Sequence, residues 1–142
     1  TDTYAFETLS PISRSTTYAY AGTYSLAVQN TSGFSDAVFT RTANLPKPTT
    51  KPSAVNVSAW FYVVSGSTRS PGEAILSFGG LIPAFEGKST VKGAWTQISI
   101  SMTSTQIDSW YSAAESRINL TYDRLANNEY VYWDSVRIEM VK

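Results

Sequence analysis

The chain has 142 residues, with 11 Lys and Arg balanced by 11 Asp and Glu, and contains neither histidine nor cysteine. Balanced charge leaves no electrostatic footprint for nucleic acid or an anionic membrane, and the missing residue types remove Ser-His-Asp and Cys-His nucleophiles, imidazole or thiolate metal sites, and disulfides. Charged residues make up 15% against 42% hydrophobic, a balance that folds, and a chain of this length can bury roughly 70% of its unfolded surface in one core.

Short runs that alternate at period 2 and are broken by Gly, Pro, Asn and Asp predict about eight strands. In chain order they are Tyr4 to Thr8, Thr23 to Gln29, Phe34 to Arg41, Ala54 to Val64, Glu73 to Gly79, Ala94 to Met102, Ser116 to Tyr122 and Glu129 to Val141. Asn30-Thr31-Ser32-Gly33 supplies hairpin turn chemistry between the second and third. Ala43 to Ser53 carries Pro46, Pro48 and Pro52 and reads as a stiff surface loop. Gln106 to Glu115 is the one helical segment, with Ser104 or Thr105 as N-cap. Many short strands and one helix predict an all-β sandwich, a jelly roll of antiparallel strands in two sheets, within a single domain. No run approaches the ~18 apolar residues of a membrane-spanning helix. Thr1-Asp2-Thr3-Tyr4 is neither an initiator methionine nor a signal peptide, so a longer, multidomain parent is expected.

Strand parity sorts the faces. In the fourth strand Val55, Val57, Ala59, Phe61 and Val63 form the core row, which turns Asn56, Ser58, Trp60 and Tyr62 outward. In the seventh, Ile118, Leu120 and Tyr122 point in and Arg117, Asn119 and Thr121 out; in the second, Tyr24, Leu26 and Val28 point in and Ser25, Ala27 and Gln29 out. Serine and threonine together number 37 and aromatics 19, a mixture suited to a wet, β-rich binding face.

Three segments carry a family likeness: Phe6-Glu7, the run Gly22 to Val28, and Tyr132-Trp133-Asp134-Ser135-Val136-Arg137-Ile138. With Val57-Ser58-Ala59-Trp60 and Gly93-Ala94-Trp95-Thr96 between them, the chain resembles the galactose-binding-like β-sandwich carbohydrate-binding modules found beside xylanases and cellulases. The resemblance runs from Phe6 to Ile138. It implies a jelly roll without catalysis, a sheet that binds a polysaccharide or cell-wall glycan, a secreted or extracellular setting, and often a structural calcium. Similar modules also occur in bacteriophage tail proteins, which makes a virion-associated home an equal expectation. Carried over by position, Ca²⁺ would be held by the carboxylate of Glu7, the carbonyl near Thr23, and Asp134, on the premise that the first and last strands pair. Asp134-Ser135 departs from the two consecutive acids that the family often shows, and both carboxylates alternatively serve as strand-end groups hydrogen-bonded to turns.

If jelly-roll connectivity makes the fourth and seventh strands sheet neighbours, Trp60 and Tyr62 form the centre of a ligand-binding surface edged by Arg117, Asn119, Thr121, Gln29, Glu73 and Ser77. A pyranose offers an apolar C–H face and a hydroxyl rim, and so calls for a flat ring with planar amide or guanidinium groups beside it. Trp110 and Tyr111 would extend this platform, and residues 79–83 would wall it. Against that stands packing: Trp60 covered by the Pro-rich loop, Trp95 structural at the start of a strand, and Trp133 of undecided direction. No two of the eleven acids form a recognisable glycosidase pair, so a non-enzyme is expected. The remaining alternative is a structural or protein-interaction domain using the same aromatic face. Shape separates the two, because a groove with spaced rings and polar rims suits a glycan and a flat apolar patch suits a protein.

Overall fold

A computed structural model of the chain describes residues 6–8, 11–31, 37–79 and 85–142. Among the described residues there are ten strands and one helix: β1 (Phe6–Thr8), β2 (Ile12–Ser15), β3 (Ser25–Gln29), β4 (Val38–Thr42), β5 (Ala54–Val63), β6 (Thr68–Gly79), β7 (Phe85–Ser89), β8 (Thr96–Ser101), α1 (Ser104–Ser112), β9 (Arg117–Leu125) and β10 (Tyr130–Val141). They form two five-stranded antiparallel sheets, ordered β1-β4-β9-β6-β7 (sheet A) and β2-β3-β10-β5-β8 (sheet B). The predicted β-sandwich is therefore what the chain forms. Residues 34–36 of the predicted third strand, and all but residue 79 of the predicted wall, lie outside the described residues.

Each sheet turns one apolar row into a shared core. From sheet B come Val55, Val57, Ala59, Phe61 and Val63, with Val131 and Trp133, and from sheet A come Val38, Leu76, Ile118, Leu120 and Tyr122, all buried. The alternation read in the fourth and seventh predicted strands holds residue for residue. Tyr24 is the exception: it precedes β3 and stays 49% exposed under the Arg14 guanidinium, 4.8 Å from its ring centroid.

The N-cap of helix α1 is Thr103, one residue before the first of the predicted caps, Ser104 and Thr105. Thr103 and Gln106 form a reciprocal capping box. The helix buries Ile107 and Trp110, and the Trp110 ring meets Phe78 edge-on at 6.3 Å while its Nε1 donates to Ser116 Oγ at 2.9 Å. The Pro-rich segment packs against this helix: Lys47 reaches the carbonyls of Ala113 and Tyr111, and the Tyr111 hydroxyl lies 2.8 Å from Thr49 O and 3.1 Å from Pro48 O. It does not cover Trp60.

The central strand β10 carries an irregularity that positions the site. Between Asp134 and Arg137 it advances three residues while β5 advances two, from Trp60 to Ser58. Ser135 takes up the extra residue at φ +49°, a left-handed conformation uncommon outside glycine. The bulge reverses parity. Val131 and Trp133 point to the core on one side of it, Val136 and Ile138 pack against the core on the other, and Asp134, Arg137 and Glu139 all reach the outer surface.

Candidate functional site

The outer row of β5 places Asn56, Ser58, Trp60 and Tyr62 in line, and strand register sets their neighbours. Tyr62 lies opposite Tyr132, and Trp60 lies between Asp134 of β10 and Gln97 of β8. Residues 16–24, between β2 and β3, then fold back over this face. Tyr18 stacks on Tyr62 at a centroid distance of 4.4 Å and meets Tyr132 edge-on at 5.0 Å. Tyr20 stacks on Trp60 at 3.9 Å with 14° between the planes. Trp95 closes the group, tilted 5.6 Å from Tyr62 and 5.9 Å from Tyr20. The outcome is a continuous aromatic ridge across sheet B.

The covering segment is held by one carboxylate. Asp134 Oδ2 accepts from the backbone N–H of Tyr20 at 2.8 Å and of Ala21 at 3.1 Å, and Oδ1 accepts from the N–H and hydroxyl of Ser135. Gly22, at φ +70°, permits the turn that feeds β3. Ser25 Oγ donates to Tyr18 O at 2.5 Å and fixes the other end.

Beside the ridge lies a cleft of about 320 Å³. Ser58 and Trp60 line it from β5 and Gln97 from β8; Tyr20 and Ala21 contribute from the covering segment, and Ser135, Arg137 and Glu139 from β10. Arg137 and Glu139 stand 3.8 Å apart and offset each other's charge. Two rings flanked by an amide from β8 and by hydroxyls, a guanidinium and a carboxylate from β5 and β10 can hold a neutral polyol through both donors and acceptors.

Desolvation pushes the Tyr132 phenol above a tyrosine's ordinary pKa of 10.0, and the neighbouring Tyr18, Tyr130, Glu129 and Tyr62 push the same way. Tyr62 is raised by burial and then by Tyr18. The folded state therefore keeps these protons to higher pH than the unfolded chain does. The associated stability is fully present below about pH 10 and is lost as pH rises through the raised values. Melting temperature followed by circular dichroism should be level through neutral pH and fall above about pH 10, with Tyr132→Phe flattening the fall.

No protein-family model matches the chain, and no curated protein matches its sequence. Solved structures do. The CBM22-2 xylan-binding domain from Paenibacillus barcinonensis Xyn10C is similar at a TM-score of 0.62 and 15% identity, over 96% of this chain and 91% of that one. The CBM22-1-GH10 modules of Clostridium thermocellum endo-1,4-β-D-xylanase 10B, complexed with xylohexaose, match at 0.61 and 16%, over 96% of this chain and 26% of that one. TmCBM61 in complex with β-1,4-galactotriose matches at 0.56 and 11%, over 95% and 88%. The fold is that of the carbohydrate-binding modules.

On this β-sandwich the predicted site residues divide. Trp60 and Tyr62 come together as expected, and Gln29 shares their face, but it pairs with Tyr130 away from the cleft and its Nε2 donates to Asn128 O at 3.2 Å. Arg117 and Asn119 do not join them. Their strand β9 lies in sheet A between β4 and β6, so they, with Thr121, Glu73 and Ser77, face the opposite side of the sandwich. The Arg117 guanidinium donates to Thr42 O at 3.3 Å. Trp110 is fully buried against Phe78, and Tyr111 packs on the Pro-rich segment, so neither extends the platform.

The donors named for calcium are not assembled either. Glu7 is in β1 of sheet A, in register with Arg41, whereas Asp134 is in the centre of sheet B; the first and last strands do not pair. Thr23 is exposed in the turn after Gly22. Both oxygens of Asp134 already accept hydrogen bonds from a turn and a bulge, the alternative role foreseen for this carboxylate. The backbone thus places Glu7 and Asp134 in different sheets and does not bring the three residues together as one donor set. Tyr18 and Tyr20 carry no role in the sequence analysis, Tyr132 enters it only through the family likeness, and Trp95, read there as structural, joins the aromatic group. The dense Tyr18-Ala19-Tyr20 pair, in a segment with no alternation of its own, was the available signal.

Proposed function

We propose that the chain is a non-catalytic carbohydrate-binding module that holds a larger protein on a polysaccharide. The observation that carries this reading is the make-up of the outer face of sheet B: a cleft lined by the rings of Tyr20 and Trp60 with polar side chains from β10 and β8 on either flank, not a flat apolar patch. A protein partner would be better served by the latter. The offset charges of Arg137 and Glu139 favour a neutral chain over a polyuronate. The fold likeness supports the same reading, since the neighbours named above bind xylan, xylohexaose or galactotriose, and one of them belongs to an endo-xylanase. We therefore favour a polysaccharide-active enzyme as parent over a phage tail protein, and an extracellular setting. Among the described residues no helix is long and apolar enough to cross a membrane.

The test is native affinity electrophoresis of the chain through gels containing xylan, β-1,4-galactan, mixed-linkage glucan, mannan or a bacterial cell-wall polysaccharide, against a gel with none. Retardation in at least one neutral plant polysaccharide is expected. Equal mobility in every gel would overturn the glycan reading in favour of a protein-interaction domain, and retardation by cell-wall polysaccharide alone would overturn the enzyme setting.

A further inference from the structure

Stacking a sugar on an aromatic ring requires an unoccupied ring face, and the two rings expected to offer one are already covered. Trp60 carries Tyr20 at 3.9 Å and 14°, and Tyr62 carries Tyr18 at 4.4 Å and 25°. Rings this close and this nearly parallel are in van der Waals contact, which leaves no room for a pyranose between them. The solvent side of the Tyr20–Trp60 stack is Tyr20, 44% exposed, while Trp60 is half-buried. Tyr20 also borders the cleft together with Ala21, facing the strand that carries Arg137 and Glu139.

A ring on a loose loop would lose much of its stacking energy to ordering on binding. Tyr20 is not loose. Its own backbone N–H and that of Ala21 converge on Asp134 Oδ2, and Asp134 is itself locked through Oδ1 to the bulged, left-handed Ser135. Backbone strain of this kind persists where the surroundings over-determine it. The bulge that turns Arg137 and Glu139 to the surface is thus the same element that fixes the carboxylate under Tyr20.

We propose that Tyr20, backed by Trp60, is the ring on which the glycan stacks, and that Asp134 is a positioning residue that presents it without touching the ligand. The inference rests on the glycan-binding reading above. It assigns the stacking surface to the segment between β2 and β3 instead of to the sheet.

The test uses whichever polysaccharide retards the wild-type chain, with affinity read from mobility against polysaccharide concentration and folding from the thermal melt. Tyr20→Phe should bind as wild type does, since the ring is kept. Tyr20→Ala and Tyr20→Leu should bind about tenfold or more weakly with cooperative melts only a few degrees below wild type, the cost of the lost ring pair. Asp134→Asn should weaken binding and speed hydrogen exchange at the Tyr20 and Ala21 amides. The Tyr20→Ala, Asp134→Asn double variant should bind no worse than Tyr20→Ala alone, which two unrelated structural defects would not produce. Unchanged or tighter binding by folded Tyr20→Ala and Tyr20→Leu would overturn the assignment, and additive losses in the double variant would overturn the positioning role. Absence of retardation for wild type would instead defeat the glycan reading itself, and the exchange rates at Tyr20 and Ala21 would still report on Asp134.

Discussion

Trp60→Ala should run through polysaccharide gels at its ligand-free mobility while retaining a cooperative melt. The side chain stands on the outer row of β5, so its removal opens no hole in the core. It strips Tyr20 of the ring beneath it and takes away the larger ring of the cleft's lining. The stability cost should be about 1 kcal/mol, the worth of one aromatic pair, whereas the affinity loss should be complete on the scale of the gel. A folded variant that keeps wild-type retardation would remove sheet B from the binding site.

Trp110→Ala should do the reverse. This ring of α1 is fully buried, edge-on to Phe78 of β6, and its indole N–H donates to Ser116 Oγ. Truncation leaves a cavity that the helix cannot close, with an expected cost of about 3–5 kcal/mol and a melting temperature lower by roughly 10 °C or more. Whatever fraction stays folded should bind with unchanged affinity, because the site lies on the opposite sheet. Two tryptophans grouped in one platform by sequence reasoning are thus separable by a melt and a gel. Loss of affinity without loss of stability in Trp110→Ala would contradict the assigned placement.

The difference between those tryptophans shows where the sequence was informative. Alternation in β5 and β9 identified the core row and the outward residues, because half-buried strands must obey period 2. It could not tell which sheet each strand enters. Both sheets turn the same kind of apolar row toward one core, so Arg117 and Asn119 look the same in sequence whether they stand beside Trp60 or behind it. The short strands β2 (Ile12–Ser15) and β7 (Phe85–Ser89) were missed because sheet edges favour polar and charged residues that leave little periodicity. The direction of Trp133 is not legible in sequence because a bulge one residue after Asp134 reverses parity, and nothing in Asp134-Ser135-Val136 announces an extra residue. The half of the site on β5 was legible; the half contributed by residues 16–24 was not, since a segment without its own period is placed only by long-range contacts such as Asp134 to Tyr20.

The central position of β10 has a consequence for the order in which the molecule can be made. Among the described residues every strand of sheet A precedes β10 in the chain, so that layer can pair in full as soon as Leu125 has emerged from the ribosome, ahead of β10. Sheet B at that moment consists of two disconnected pieces, β2 with β3 and β5 with β8, and the slot between them stays vacant until Tyr130–Val141 emerges. Long-range pairing of this kind is slow and leaves strand edges unprotected in the interval. The nascent chain thus carries two open hydrogen-bonding edges, on β3 and β5, that the finished protein never displays, and sheet B, with its aromatic ridge, is the last part of the molecule to come into being.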